Sequence, residues 1–402
     1  MEQIIKSEQV EREIIKDIES EHGVAALIKH ETLVTRKLWE KIFKDDEKEF
    51  LDFYYETKAK DSVVFVISRE KNISQESIVA MLHLTPYAAA LRRNPPLPGA
   101  DKVPCMADIV KADVNSISKL ATDEMYRNRG YARKLIASAL EYQNCMKVPF
   151  TFLKSENDAF FEKYGFSYIY DKTKYELNKN IISEDMLRRV DEGEKVVIED
   201  GVTIETVDKK ELLTLAHFVN ANLCKIYGLF NIRSAVYYEK LQKELMAKGG
   251  NIYQIVKDNQ LLGYFTYINK CTESVIEVVF ADEYYEDKYF YKTIDKEPAV
   301  MARVVNLPEM LKYIRSKGKV TIAVRVIDPI MVDNDGLFIW YIDEKGSHMV
   351  KQDEDEAGLK YRPEITVTIG ELTAFIFEYI KLKRNMKFDS IYLTGPVFIN
   401  EG

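Results

Sequence analysis

The stretch Arg127-Asn128-Arg129-Gly130-Tyr131-Ala132 decides the reading of this chain. Before it, residues 113–122 (DVNSISKLAT) have strand character. After it, Ala132, Leu135, Ile136, Ala139 and Leu140 recur at helical spacing. A tight strand-to-helix turn aims the unpaired N–H groups of the first helical turn, and the positive end of the helix dipole, at one point. That is how a pyrophosphate is held. Gly130 lets the backbone approach without a Cβ, Ala132 keeps the first turn small, and Arg127 and Arg129 add charge at the rim. A glycine after a strand is more often an ordinary turn, so the loop takes its meaning from its surroundings.

Working outward, residues 149–153 (PFTFL) read as a strand and residues 157–164 as a short helix. Toward the N-terminus, residues 62–68 (SVVFVIS) and 78–85 (IVAMLHLT) flank a polar turn at Lys71-Asn72 and predict a hairpin in a central sheet. Leu38, Trp39, Ile42, Phe43, Phe50, Phe53 and Tyr54 predict an amphipathic helical layer over residues 33–55. Residues 92–104 are rich in breakers and predict a loop outside the core. The first domain is therefore α/β.

Residues 178–201 are polar, with little periodicity to bury, and a boundary is placed there. A second α/β unit follows, with a helix over 234–248 and strands over 251–257 and 260–268 joined at Asp258-Asn259. Past a charged, aromatic stretch at 283–296, a helix at 307–315, strands at 320–328, 336–343 and 364–369, and a helix at 371–382 predict an α+β domain. The expected domains are residues 1–180, 181–295 and 296–402.

The order of strand, Arg-rich glycine loop, helix and strand, followed by Asn157-Asp158-Ala159-Phe160-Phe161-Glu162-Lys163-Tyr164-Gly165-Phe166, resembles the GCN5-related N-acetyltransferase (GNAT) superfamily. The whole length is similar to the enhanced intracellular survival (Eis) type of that superfamily. The resemblance implies two tandem mixed-sheet acetyltransferase-like domains, the second without a cofactor loop, then an α+β domain similar to sterol carrier proteins. Met301-Ala302-Arg303-Val304-Val305-Asn306-Leu307 and Val397-Phe398-Ile399-Asn400-Glu401 carry the last likeness.

The resemblance implies transfer of an acetyl group from acetyl-coenzyme A to a primary amine of a small molecule or peptide by direct attack. Leu120, Ala121, Thr122, Arg127, Asn128, Arg129, Gly130, Tyr131, Ala132, Asn157 and Phe161 are the cofactor-binding positions it implies. Leu120 and Ala121 hold the strand position whose N–H stabilises the oxyanion. The superfamily often has a tyrosine acid four residues before the Gly-Phe pair, and here that residue is Phe161, which has no proton to give. Tyr164 is the nearest phenol; the thiolate otherwise leaves unassisted or takes its proton from water. The Eis type uses its terminal carboxylate as the base, which places Gly402 in that role. Two alternatives stand beside this reading: a degenerate protein that binds coenzyme A without turnover, and a lipid-binding or scaffold protein with a vestigial site.

Composition narrows the field. Across 402 residues, 65 acidic against 57 basic side chains leave a net charge of -8, which offers no field for nucleic acid or an anionic membrane and weakly favours cationic small molecules. Cys105, Cys145, Cys224 and Cys271 form no CxxC pair and read as reduced thiols, and without an apolar leader or a long apolar run the expected location is cytoplasmic. His22, His30, His217 and His348 have no ligand spacing, so no metal is expected. His83 reads as a core histidine and the acidic run at 353–356 as a solvated turn. The resemblance implies assemblies above the monomer.

Overall fold

The computed structural model describes residues 11–18, 23–92, 109–155, 157–269, 274–352, 362–382 and 387–399. The hairpin read at 62–85 supplies the second and third strands from one end of a sheet that has nine strands among the described residues. Strand β1 (Ala25–Ile28) lies against β2 (Val63–Ser68), which pairs antiparallel with β3 (Ile78–Arg92) from Val63↔Leu84 to Ile67↔Ala80. β3 runs for 15 residues because its apolar sequence is buried on both faces over most of its length. It continues past the predicted end, so Arg92, read as the start of an external loop, is its buried last residue. There the Arg92 guanidinium donates to the carbonyls of Cys224 and Tyr227, at 2.8 Å each. The rest of that loop lies outside the described residues.

Strand β4 (Ile109–Thr122) pairs with β3 along its whole length, and β5 (Phe150–Leu153) is parallel to β4. Next to β5 lies Glu297–Val304, and beyond that β6 (Ser167–Lys172). A stretch that the sequence reading assigns to the third domain is thus a strand of the first sheet. A second boundary is crossed as well: Tyr175–Leu177, from the stretch read as the first domain, pairs with Val275 and with Phe290–Lys292 in the second sheet, which has seven strands among the described residues.

In that second sheet the hairpin turn is as read, with Asp258 and Asn259 both at positive φ, 47° and 64°. The polar stretch 178–201 is not featureless. Ser183 caps a helix Glu184–Asp191 that buries Leu187 and Val190, and Val196–Glu199 joins the sheet edge. Two buried residues three apart make too short a period to stand out in sequence. The helix Leu212–Ile226 also went unpredicted.

The third unit is α+β. Among the described residues its sheet has four strands, in the order Ser347–Lys351, Gly336–Ile342, Val320–Ile327, Ile365–Thr368, with the last pair parallel. Thr368 starts the helix Ile369–Ile376 with a capping box to Glu371. This helix packs against Glu297–Val304, and Thr373 Oγ1 accepts from Val304 N at 3.0 Å. One apolar cluster therefore runs from Phe150, Phe152 and Val300 through Phe375 to Trp340 and Ile322. Among the described residues no helix is long and apolar enough to cross a membrane.

Candidate active site

The site begins where β4 and β5 part. They pair only at Asn115↔Thr151 and Ser116↔Phe152, so the edge of β4 beyond Ser116 loses its neighbour. A bulge lies just past that point. The register against β3 shifts between His83↔Ser118 and Met81↔Ala121, with Lys119 at φ 50°. After the bulge, Leu120, Ala121 and Thr122 line a groove of about 580 Å3.

The loop closes the other side of that groove. Asp123 Oδ1 accepts from Met125 N at 3.1 Å and starts the short turn Glu124–Tyr126. Asn128 sits at φ 62° and Gly130 at φ 78°, the left-handed geometry that turns the chain into the helix Tyr131–Cys145. Lys134 N donates to Gly130 O at 3.1 Å, the first bond of that helix, leaving the amides before it for the groove. Leu135, Ile136 and Leu140 bury against β2, β3 and β4, each worth about 1.5–3 kcal/mol. That packing fixes the direction in which the helix N-terminus points.

Of the predicted cofactor positions, Leu120, Ala121, Thr122, Arg127, Asn128, Gly130, Tyr131, Ala132, Asn157 and Phe161 all line the groove, together with Tyr164. Arg129 does not: its guanidinium donates to Met125 O at 3.2 Å and lies 4.9 Å from the Tyr126 ring centroid. Ile42, Tyr126, Arg133 and Phe160 complete the lining and were missed. Arg133, the third residue of the helix, is the one whose position pointed to the groove. Arg127 holds the rim through Thr122 O at 3.4 Å and Glu124 at 3.9 Å.

The second block forms the helix Asp158–Glu162, capped by Asn157 Oδ1 accepting from Phe160 N at 3.3 Å. Phe161 stands edge-on to Phe160 and Phe166, with ring centroids 5.0 and 5.8 Å away. Tyr164 is half-buried. It packs 5.2 Å from Phe160 and still reaches the groove, so packing and exposure to the site coexist. Gly165 follows at φ 80°, where a Cβ would come within 2.4 Å of Ile369 and 2.6 Å of the Arg303 guanidinium.

His83 is a core residue, as read. Nδ1 lies 3.0 Å from the Tyr54 hydroxyl and Nε2 3.4 Å from Thr35 Oγ1. Its burial, with the Lys119 ammonium nearby, pushes its pKa down to about 3. Gly402, the expected base, and the acidic run 353–356 lie outside the described residues, as do Cys105 and Cys271. Among the described residues no group of three His, Cys, Asp or Glu side chains is arranged to hold a metal.

Residues 61–168, from the edge of β2 to the start of β6, match the family model of the acetyltransferase (GNAT) domain. No curated protein matches the chain in sequence. Solved structures resemble it over nearly their full length. A probable N-acyltransferase from Enterococcus faecalis V583 is 14% identical, covering 92% of this chain and 93% of its own, with a TM-score of 0.65. A GCN5-related N-acetyltransferase from Anabaena variabilis is 12% identical, with coverage of 92% and 94% and a TM-score of 0.60. Eis1 from Mycobacterium abscessus is 10% identical, with coverage of 93% and 94% and a TM-score of 0.57. At such identities the likeness is one of fold, and it extends over both mixed sheets and the α+β unit.

Proposed function

From the acetyltransferase domain carried by residues 61–168, we propose that this protein transfers an acetyl group from acetyl-coenzyme A to a primary amine of a small molecule or peptide. One observation carries the reading: the open edge of β4 and the N-terminus of the helix Tyr131–Cys145 face the same groove. The lining fits the donor. A Cβ at Gly130 would meet nothing within 4 Å, so the turn there is open to a ligand, and Arg127 and Arg133 bring positive charge to the helix amides.

Acetyl-coenzyme A supplies the activated acyl carbon as a thioester. The amides of the first helical turn and the two arginines hold its pyrophosphate. At Leu120 and Ala121, whose N–H groups point to opposite sides of the strand, the unpaired edge of β4 offers one N–H to the oxygen that becomes negative as the amine adds. As the C–N bond forms and the C–S bond breaks, Tyr164, whose ring reaches the groove where Phe161 has no hydroxyl, gives its proton to the departing sulfur, and the amine releases its protons to solvent, from which the phenol is restored.

A second, larger groove of about 1480 Å3 supports an amine acceptor. Ile42 lines the smaller groove and Asp45, three residues on, the larger one, which carries Asp45, Asp46, Glu47, Glu176, Glu184 and Asp191 against Lys179, Arg188 and Lys248. The balance of six carboxylates against three cations favours a positively charged ligand. Calorimetry with acetyl-coenzyme A, followed by a thiol-release assay over polyamines, aminoglycosides, lysine peptides and amino acids, tests the proposal. Absence of binding defeats it. Binding without thiol release from any amine favours the second reading, a coenzyme A-binding protein without turnover, for which Phe161 is the specific observation.

A further inference from the structure

The bulge that opens β4 carries a lysine where the backbone favours glycine. Lys119, at φ 50°, lies in the left-handed region that side chains with a Cβ seldom occupy. Its ammonium explains why it stays there. Lys119 Nζ donates to Asp46 Oδ2 at 2.9 Å, and the same oxygen accepts from Trp39 Nε1 at 2.7 Å. The ammonium also lies 4.3 Å from the Trp39 ring centroid, 4.9 Å from that of Phe43 and 5.8 Å from that of Phe50. A cation held by a carboxylate and three aromatic faces is a strong anchor.

The anchor is itself fixed. Trp39 is fully buried, with edge-on contacts to Phe43, Phe50, Tyr54, Tyr55 and His83. Asp46 belongs to the segment between the helices Arg36–Ile42 and Lys48–Glu56 and lines the larger, acidic groove. Leu120, the residue after Lys119, lines the smaller groove. One side chain therefore ties the backbone of one groove to the wall of the other.

We infer that Lys119 is a positioning residue for acyl transfer: its caged ammonium holds the β4 bulge and so sets the direction of the Leu120 and Ala121 amides, while Asp46 links that setting to the acceptor-side groove. The inference rests on the acetyl-transfer reading for its kinetic consequence, and on the structure alone for the bulge. Lys119 touches neither substrate in this role.

K119M keeps a stem of similar length in the aromatic cage and removes the charge; K119R restores it. Three measurements are made on the full chain: kcat and KM for an amine found by the screen, coenzyme A affinity by calorimetry, and amide hydrogen exchange over residues 117–122. K119M is expected to lower kcat about 10- to 100-fold, the range for misplaced transition-state donors, with coenzyme A affinity unchanged. Exchange at Leu120 and Ala121 is expected to accelerate, and K119R to recover most of the rate.

Wild-type kcat and exchange in K119M overturn the inference. So does a K119M that loses coenzyme A affinity and kcat in step and is not rescued by K119R, because that is the mark of a general structural role. If K119M does not fold, D46N is used with the same readouts, leaving the ammonium but removing its charged partner. A wild-type protein that acetylates no amine defeats the acetyl-transfer reading separately. The exchange measurement then still decides the bulge: unchanged exchange in K119M overturns the anchor, and faster exchange upholds it.

Discussion

Arg303 donates through Nη1 to the backbone carbonyl of Tyr164, although the two residues are 139 positions apart in sequence. On its other side Nη2 lies 2.6 and 2.5 Å from the two carboxylate oxygens of Asp328, and both side chains of the pair are fully buried. Asp328 in turn accepts from the amides of Ile330 and Met331 at 2.9 Å each and from Asn334 Nδ2 at 3.2 Å. The third unit thus reaches the turn that presents Tyr164 to the groove.

Breaking this pair on one side leaves a buried charge without its partner. Asp328→Ala is expected to destabilise the protein by about 3–5 kcal/mol, read as a shift in the denaturant midpoint at constant m-value. A loss below about 1 kcal/mol is the value for an exposed pair and would contradict the burial described here.

Tyr164 and Phe161 make a matched test of the proton donor. Tyr164→Phe is expected to lower kcat about 10²-fold or more, with coenzyme A affinity intact. Phe161→Tyr returns a hydroxyl to the place where the superfamily resemblance expects one, and is expected to raise kcat. Equal rates in wild type and Tyr164→Phe remove Tyr164 from the chemistry.

At Gly130 the difficulty for a side chain is conformational, since a Cβ meets nothing within 4 Å while φ is 78°. Gly130→Val is expected to cost about 1–2 kcal/mol in stability. It is also expected to weaken coenzyme A binding measured by calorimetry, because the loop must move to relieve its φ. Unchanged affinity would show that the groove does not use this turn.

His83 predicts an acid-side loss of stability. Its pKa falls from the ordinary 6.5 to about 3 in the folded protein, so the unfolded chain binds the proton more readily. The neutral, buried histidine contributes fully above pH 6.5, and its contribution declines as pH falls from there toward 3. Between pH 6.5 and 5 the loss from this group is about 2 kcal/mol. Denaturant titrations at the two values, on wild type and His83→Gln, check it: the variant should show a shallower decline.

Much of the candidate site was legible because its signals are local. The loop from Arg127 to Ala132 is one turn between two adjacent elements, and Gly130 announces its backbone geometry by residue type. Arg129 was misplaced because alternate loop residues look alike until the turn is drawn, and its side chain folds back on Tyr126. The bulge at Lys119 left no trace, since lysine carries no signature for positive φ and its anchor, Asp46, comes 73 residues earlier. The helix Glu184–Asp191 hid behind its charged face. Pairing of Glu297–Val304 with β5 and β6 is non-local altogether: an apolar run reads as a strand without saying which sheet takes it.

That pairing dictates when the first sheet can be completed. A ribosome completes β5 and β6 more than a hundred residues before it delivers the strand that lies between them, so the newly made first sheet waits with two raw edges. Strands with unsatisfied N–H and C=O groups are templates for aggregation, and the waiting species needs shielding or speed. A gene fragment ending at residue 180 would lack that middle strand for good. The sequence match is contiguous, yet the sheet that carries it takes a strand from far outside it.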